Sequence, residues 1–307
     1  LCAPVAAKTG LIAGTPVAVG AFDCHMGAIG AGIKPGTLVK AIGTSTCDVM
    51  IHPETEPLAD IPGLCGIVPG SVMPGYFGLE AGQSAVGDIF NWFVRQMVPE
   101  HYFENDAVHE NLSQAADKLL PGESGLLCLD WNNGNRTILV DQLLTGLTVG
   151  TTLHTTAPEI YRALIEATAF GALTIIKRFE EYGVKVEEVI NCGGIAEKSP
   201  LIMQIYADVC NRPMKISRSP QTCALGAAIC GAVAGGAFKN IQEAQKRMTG
   251  VKKTVYKPNP SAVAVYERLY RLYRELHDAF GVDGRKESLY HVMKHLLEIR
   301  DTVRKRY

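Results

Sequence analysis

The chain lacks a marked excess of positive or negative charge: its 307 residues carry a formal net charge of −1 at pH 7. Proteins that bind DNA, RNA or an anionic membrane surface usually show a basic excess, so the near balance argues against these partners. Backbone amides or a metal ion could still hold an anionic substrate locally. Long apolar runs are lacking as well, and none approaches membrane-spanning length. With 47% hydrophobic and 20% charged residues, the composition is that of a soluble globular protein.

Targeting signals and phosphate-binding P-loops are also lacking. The chain begins Leu-Cys-Ala-Pro, with no initiator methionine, no basic segment and no apolar segment behind it. We therefore expect no signal peptide, a cytoplasmic location, and a chain that is a piece of something longer. No Gly-x-x-x-x-Gly-Lys-[Ser/Thr] occurs, so a P-loop kinase is excluded.

Paired cysteine motifs are missing too, although the chain has nine cysteines. Their number is odd, their spacing is irregular, and no Cys-x-x-Cys occurs. This pattern argues against a disulfide framework and against a zinc knuckle. The sequence therefore predicts reduced, mostly buried thiols and no metal-ligating residues.

Hydrophobic periodicity and turn residues predict alternating strands and helices. An early helix at 4–9 precedes a strand at 16–22, and a β-hairpin joins 38–42 to 47–51. A helix at 83–98 carries one apolar face of Val86, Phe90, Phe93 and Met97. Further elements are a helix at 158–182, a strand at 186–192, a helix at 199–211, a strand at 214–217, and helices at 222–235, 261–280 and 287–304. This alternation indicates an α/β layered fold.

Asp23 is the first residue that suggests chemistry. It follows the predicted strand, and glycines come soon after it at 27, 30 and 32. Ligand sites in open α/β sheets lie beyond the carboxyl ends of strands, and a carboxylate there can act as a general base. The spacing alone slightly favours the alternative that Asp23 only caps the next helix.

Two glycine-bearing turns add weak signals. The hairpin turn Gly43-Thr44-Ser45-Thr46 offers amide and hydroxyl donors to phosphate oxygens, although a plain hairpin turn would have the same composition. The segment Asn191-Cys-Gly-Gly194 lies between a strand and a helix, where bare backbone can approach a flat ring. An ordinary strand-to-helix turn is the alternative. The order of carboxylate, hairpin and Gly-Gly turn is more specific than any of the three alone.

In this order the segments resemble the FGGY carbohydrate kinases, whose fold is shared with Hsp70 and actin. The resemblance extends from about residue 6 to residue 280. It is carried by Gly-Ala-Phe-Asp23-Cys-His-Met-Gly, Ile-Gly-Thr44-Ser-Thr-Cys, Leu-Glu80-Ala-Gly-Gln-Ser-Ala, Asn-Gly-Asn-Arg136, Glu166-Ala-Thr-Ala-Phe-Gly, and Cys-Gly193-Gly-Ile-Ala-Glu-Lys-Ser199. Several of these segments look most like the members that phosphorylate L-ribulose.

The resemblance implies a role for each matching residue. Asp23 corresponds to the catalytic base and contacts the sugar, and Glu80 corresponds to a glutamate that reaches a ketose hydroxyl. A buried, hydrogen-bonded acid is the alternative for Glu80. The family's ATP-binding positions correspond to Thr44 and Ser45 at the phosphates, Gly87 and Asn91 beside the nucleotide, Gly193 and Gly194 against adenosine, and Ser199 or Lys198 near adenine.

The resemblance also implies a domain division. Residues 1–36 correspond to the end of the N-terminal FGGY domain with its catalytic aspartate, and 37–307 to the C-terminal, nucleotide-binding domain with a helical tail. The expected fold is the C-terminal half of an actin-like (ribonuclease H-like) ATPase. The family's first phosphate loop, Asp-x-Gly-Thr or similar, does not occur here. We therefore expect the N-terminal domain of the same polypeptide as a partner and no activity from this segment alone.

The expected function is phosphorylation of L-ribulose to L-ribulose 5-phosphate in arabinose catabolism, with MgATP as phosphoryl donor. A kinase of the same family acting on xylulose, glycerol or another polyol is one alternative. A non-catalytic actin-like module that binds nucleotide is another, although such a module would not need Asp23. The sequence leaves the oligomeric state open, a homo-oligomer included.

Overall fold

The predicted hairpin lies at the centre of a seven-stranded sheet in the computed structural model, which describes residues 1–284 and 288–290. The strands are, in chain order, β1 (Thr37–Ile42), β2 (Thr46–Pro53), β3 (Gly66–Pro69), β4 (Tyr76–Ala81), β5 (Leu127–Leu129), β6 (Leu147–Val149), β7 (Glu188–Cys192), β8 (Met214–Ser217) and β9 (Val251–Tyr256). β5 and β6 form a separate two-stranded sheet.

Helices connect these strands. They are α1 (Ala3–Thr9), α2 (Asp23–Ala31), α3 (Gly87–Met97), α4 (Val108–Asp117), α5 (Ala157–Glu181), α6 (Gly194–Lys198), α7 (Pro200–Cys210), α8 (Thr222–Ala234), α9 (Ile241–Met248) and α10 (Pro260–Gly281). A 3₁₀ helix covers Glu100–Asp106. Within the described ranges, no helix has both the length and the apolar character needed to cross a membrane.

The large sheet has the order β3-β4-β2-β1-β7-β8-β9. β1, β7 and β8 run parallel to one another, whereas β2, β3, β4 and β9 pair antiparallel to their neighbours. Parallel strands end at the same edge of a sheet, and ligands in open α/β sheets bind beyond that edge. The turns that follow β1 and β7 are therefore neighbours in space, although about 150 residues separate them in sequence.

Helices cover both faces of the sheet. Leu38 and Ile42 of β1 pack into the larger core beneath α3, α5, α7 and α10, and Val39 packs into a second core beneath α2, α8 and α9. Successive side chains of a strand point to opposite faces, so the continuous apolar run of β1 suits a strand that is buried on both sides. The predicted α/β layered fold is confirmed.

Local capping residues determine where α5 and α7 begin, close to the positions that the sequence predicts. Thr156 and Glu159 form a capping box at the start of α5. The hydroxyl of Ser199 caps α7, and Asn211 ends that helix in the left-handed conformation with φ 49°. Tyr266, Tyr270 and Tyr273 on one side of α10 are buried in the larger core.

Three details of the sequence prediction are wrong. The segment 16–22 forms no strand, because no neighbouring segment pairs with it within the described residues, and Val19 is 89% exposed. α3 begins at Gly87 rather than at residue 83, because the preceding residues bind the hairpin instead of continuing the helix. Met97 is 57% exposed and does not extend the apolar face of α3. The predicted helix at 287–304 lies almost entirely outside the described residues.

Candidate functional site

Three backbone segments meet beyond the edge of the sheet where β1 and β7 end. They are the hairpin turn 43–46, the segment that leads into α3 at Gly87, and the Gly193–Gly194 turn, and together they are the three turns of the site. A Cβ atom on Gly87, at the start of α3, would lie 2.5 Å from the Gly43 carbonyl oxygen of the hairpin turn. The same atom would lie 2.9 Å from Ile195 of α6. A Cβ on Gly193 would overlap the Ile42 carbonyl at the end of β1. Backbone therefore packs directly on backbone at this junction, which explains the glycines there.

The start of α3 fixes the hairpin turn. The amides of Val86 and Asp88 donate to the Thr44 carbonyl at 2.8 and 3.1 Å, and the Gly87 amide donates to the Gly43 carbonyl at 3.0 Å. The amides of Thr44 and Ser45 make no hydrogen bond within the described part of the chain, and the Thr44 side chain is exposed. The residues around the start of α3 thus hold the turn through its carbonyl groups, and its two amides remain as unused donors, an arrangement that suits phosphate oxygens.

The Gly193–Gly194 turn has an open outer surface. Gly193 has φ 94°, a conformation that favours glycine, and Gly194 is exposed. A Cβ added to Gly194 would meet no atom within 4 Å. A flat ligand can therefore approach the backbone at Gly194 without steric hindrance from the fold.

The remaining predicted nucleotide residues surround this junction. Asn91 lies one helical turn after Gly87 on α3 and is half-buried. Lys198, at the end of α6, is exposed. The Ser199 hydroxyl accepts the Ile202 amide at 3.4 Å, so this side chain already has a structural role as the cap of α7.

Asp23 is the first residue of α2 and is exposed. Its Oδ1 atom accepts the amide hydrogen of Cys24 at 2.8 Å, and within residues 1–284 and 288–290 it has no ion-pair partner. The residue begins the helix but does not cap it: Phe22 occupies the N-cap position, and no side chain caps this end, so the capping alternative is wrong. The second carboxylate oxygen of Asp23 stays available. Because the predicted strand before it is wrong, the start of a helix, rather than a strand, positions Asp23.

Side-chain contacts connect the start of α2 to the hairpin. Sγ of Cys24, Sγ of Cys47 and a Glu80 carboxylate oxygen all lie within 4.8 Å of one another. A hydrogen bond from Cys47 lowers the pKa of the Cys24 thiol, and the same bond raises the pKa of Cys47. His25 Nε2 lies 3.2 Å from Glu80 Oε2. Cys47 comes three residues after Thr44, and Cys24 is the second residue of α2. The contact between the two cysteines therefore places the start of α2, with Asp23, close to the hairpin turn that carries Thr44.

A buried polar network supports the hairpin from the opposite face of the sheet. Lys40 Nζ donates to both carboxylate oxygens of Asp48 at 2.8 and 2.9 Å and to Gln83 Oε1 at 3.1 Å. The Gln83 amide group donates to Asp130, which also accepts the Tyr273 hydroxyl of α10. Burial raises the pKa of Asp130, although these hydrogen bonds act in the opposite direction. The network ties β1, β2 and α10 into one unit.

The Asn-Gly-Asn-Arg segment braces the same hairpin. Arg136 Nη2 donates to the Thr46 carbonyl at 2.6 Å, and Asn133 donates to the Ser84 carbonyl at 3.5 Å. These contacts fix the first residue of β2 and the residues before α3. The segment therefore has a structural role at the edge of the site.

The grouping of Cys24, Cys47 and Glu80 is not apparent from the sequence. The residues come from α2, β2 and β4, and no short motif joins them. The register of β2 with β4 pairs Val49 with Glu80, which places Cys47 and Glu80 diagonally on one sheet face. Predicting the cluster would therefore require both this strand register and the packing position of α2, which carries Cys24.

The family model for the C-terminal domain of the FGGY family of carbohydrate kinases matches residues 38–235. The chain belongs to this family. It is 49% identical to a ribulokinase from Geobacillus thermodenitrificans over 98% of this chain and 54% of that protein. It is 45% identical to a ribulokinase from Mycolicibacterium smegmatis, over 99% of this chain and 54% of that protein. The chain thus spans about half the length of these FGGY relatives.

An FGGY kinase also appears among solved structures with the same fold. The crystal structure of xylulose kinase from Rhodospirillum rubrum superposes with a TM-score of 0.80 at 28% identity, covering 91% of this chain and 55% of that one. The mixed α/β fold with its seven-stranded sheet thus fits the C-terminal, actin-like half of an FGGY kinase, as the sequence predicts.

Proposed function

We propose that this chain supplies the nucleotide-binding half and the catalytic carboxylate of an ATP-dependent kinase that converts L-ribulose to L-ribulose 5-phosphate. The observation that carries the proposal is the meeting of the Thr44 turn, the Gly87 helix start and the Gly193–Gly194 turn at one sheet edge, with α2 and Asp23 joined to the same hairpin. The identity to ribulokinases supports the choice of sugar.

In this proposal the nucleotide lies across the three turns. The free amides and hydroxyls of Thr44 and Ser45 bind the β- and γ-phosphates, with Gly87 and Asn91 alongside. Adenosine packs on the open backbone at Gly194, and Ser199 or Lys198 provides a polar neighbour for adenine. Fixed donors of this kind stabilise a transferring phosphoryl group without reorganising during the reaction.

Asp23 acts on the sugar in this proposal. Its Oδ1 accepts the Cys24 amide, which fixes the orientation of the carboxylate, while the other oxygen can accept the proton of the C5 hydroxyl. Glu80 accepts a hydrogen bond from another hydroxyl of the ketose and is itself positioned by His25. A protein that only binds nucleotide would not need a carboxylate at this place.

The other half of the reaction site belongs to an N-terminal FGGY domain of the kind that the longer relatives have. Domain closure over the substrates would exclude water, which otherwise hydrolyses ATP. Mg²⁺ bound with the ATP phosphates would supply neutralisation of their charge, and of the residues at the site the exposed carboxylate of Asp23 has the hard oxygen atoms that such an ion would accept. In its absence, the turns and Asp23 retain the positioning roles described above.

The decisive test is Asp23→Asn in a chain where this segment follows an N-terminal FGGY half. The asparagine keeps an oxygen that can accept the Cys24 amide but cannot take a proton, so kcat for L-ribulose-dependent ADP formation should fall by roughly 10²–10⁴-fold. Calorimetry should show unchanged ADP binding. Asp117→Asn, at an exposed aspartate of α4, is the matched control and should keep full activity.

Full turnover by Asp23→Asn would contradict the role of Asp23. Phosphorylation of D-xylulose or glycerol in place of L-ribulose would support the assignment as a kinase but would contradict L-ribulose as its substrate. If the parent protein binds ADP and phosphorylates none of these, the non-catalytic nucleotide-binding module becomes the better explanation.

A further inference from the structure

Three potential metal ligands converge beside the start of α2. They are Sγ of Cys24 on α2, Sγ of Cys47 on β2 and a carboxylate oxygen of Glu80 on β4, and each lies within 4.8 Å of the other two. All three residues are half-buried. Each group can carry a negative charge, so their proximity favours a cation between them.

The fold holds the three ligands in place from rigid elements. Cys47 and Glu80 occupy diagonal positions of the antiparallel β2–β4 pair. α2, which carries Cys24, packs tightly on α8, where Gly30 and Gly226 allow backbone contact between the helices. Two neighbouring strands and one closely packed helix therefore fix the geometry, rather than a loose loop.

His25 adds a second observation that points to a metal. Its side chain is 7% exposed, and its Nε2 atom lies 3.2 Å from Glu80 Oε2. Buried partners that orient a ligating group are a regular feature of metal sites. In the described part of the chain, His25 is the ion partner of Glu80, and neither lysine nor arginine pairs with that carboxylate. The cluster thus has no permanent cation of its own.

We propose that Cys24, Cys47 and Glu80 bind a borderline-soft divalent cation of the Zn²⁺ type, with His25 orienting Glu80. Two sulfur ligands select such an ion over Mg²⁺ and Ca²⁺, which prefer oxygen. Zn²⁺ bonds of ~2.3 Å to sulfur and ~2.1 Å to oxygen place tetrahedral ligand atoms roughly 3.4–3.8 Å apart, so only small side-chain movements are needed. Three protein ligands leave the fourth position for water.

A metal ion bound to these three residues would affect sugar binding in the proposed kinase. Glu80 would be engaged by the ion, and Asp23 is the residue adjacent to Cys24. If the proposed function holds, Zn²⁺ should therefore inhibit by competing with the sugar and not with ATP. Metal binding itself does not depend on that function, so it can be tested separately.

The test is a Co²⁺ titration of the fully reduced chain, because cobalt reports thiolate ligation by a charge-transfer absorption in the near ultraviolet. We expect one equivalent of Co²⁺ with this absorption, displaced by Zn²⁺ and not by Mg²⁺. Cys24→Ser and Cys47→Ser should each weaken binding by at least about 10²-fold, and His25→Gln by about 10–100-fold. Cys2→Ser, at an exposed cysteine before α1, is the matched control and should bind like the parent.

Several outcomes would overturn the proposal. Unchanged cobalt affinity in both Cys24→Ser and Cys47→Ser, with unchanged circular dichroism, would show that the metal binds elsewhere. A parent chain that binds cobalt without the thiolate absorption, or not at all when reduced, would have the same meaning. A disulfide that peptide mapping assigns to Cys24 and Cys47 in an oxidised chain, together with no metal binding by the reduced chain, would identify the pair as a disulfide instead. None of these readouts involves phosphoryl transfer, so their failure is distinct from failure of the kinase proposal.

Discussion

At the scale of single residues, the ion pair between Lys40 and Asp48 holds the hairpin that carries Thr44. The two residues are direct cross-strand partners on β1 and β2, and both are buried, with side-chain exposures of 2% and 1%. We predict that Lys40→Met lowers the free energy of unfolding by about 3–5 kcal/mol, because it leaves the Asp48 carboxylate buried without its cation. Urea unfolding followed by circular dichroism measures the change.

The double variant Lys40→Met/Asp48→Leu separates the cost of an unpaired charge from the loss of packing. Replacing both partners removes the buried charge, so much of the stability lost in the single variant should return. A single variant that is as stable as the parent, or a double variant that is less stable than the single one, would show that the pair is not what holds this hairpin.

At the scale of elements, the contact between α2 and α8 sets the position of Asp23. A Cβ on Gly226 would overlap the Met26 carbonyl of α2, and backbone cannot move aside as a flexible side chain can. We predict that Gly226→Ala destabilises the protein by about 1–3 kcal/mol despite the better helix propensity of alanine. Thermal and urea unfolding measure this loss.

Gly231 on the same helix provides the control. A Cβ there would meet nothing within 4 Å, so Gly231→Ala should stabilise α8 by about 0.5–1 kcal/mol. Equal effects of the two substitutions would mean that helix propensity, and not the contact with α2, decides stability here.

The elements that the sequence predicts well are those fixed by neighbouring residues. The Thr156–Glu159 capping box and the Ser199 cap determine where α5 and α7 begin, and such signals lie within one helical turn. The segment 16–22 has strand-forming residues, yet a strand also needs a partner, which propensity does not report. The sequence places the start of α3 too early, because hydrogen bonds to the distant hairpin turn override the local preference for helix.

The residues of the candidate site likewise differ in whether local sequence or long-range contacts determine their position. The turns at Thr44 and Gly194 were predictable as glycine-bearing turns after strands, and the family resemblance added their roles. The grouping of Cys24 with Cys47 and Glu80 depends on the register of β2 against β4 and on the docking of α2, both of which are long-range. The buried Lys40 network likewise joins four distant parts of the chain: the β1–β2 hairpin, Gln83, Asp130 and Tyr273.

At the scale of the whole molecule, the proposed nucleotide site exists only when the chain is folded. Its turns follow β1, precede α3 and follow β7, so unfolding separates Thr44 from Gly194 entirely. A ligand that binds only the native state raises the free energy of unfolding by about 2.7 kcal/mol at 100 times its Kd. We predict an increase of this size with MgADP, measured as a shift of the urea unfolding midpoint.

Gly194→Val makes this prediction specific to one turn. The fold has space for the new side chain, since a Cβ there meets nothing within 4 Å, so stability without nucleotide should stay close to that of the parent. The valine would occupy the surface where adenosine is proposed to lie, so the MgADP-dependent increase should disappear. Gly231→Val, at an equally open glycine of α8, should keep the increase. If Gly194→Val retained it, the nucleotide would have to bind elsewhere, and the meeting of the three turns would be a feature of folding alone.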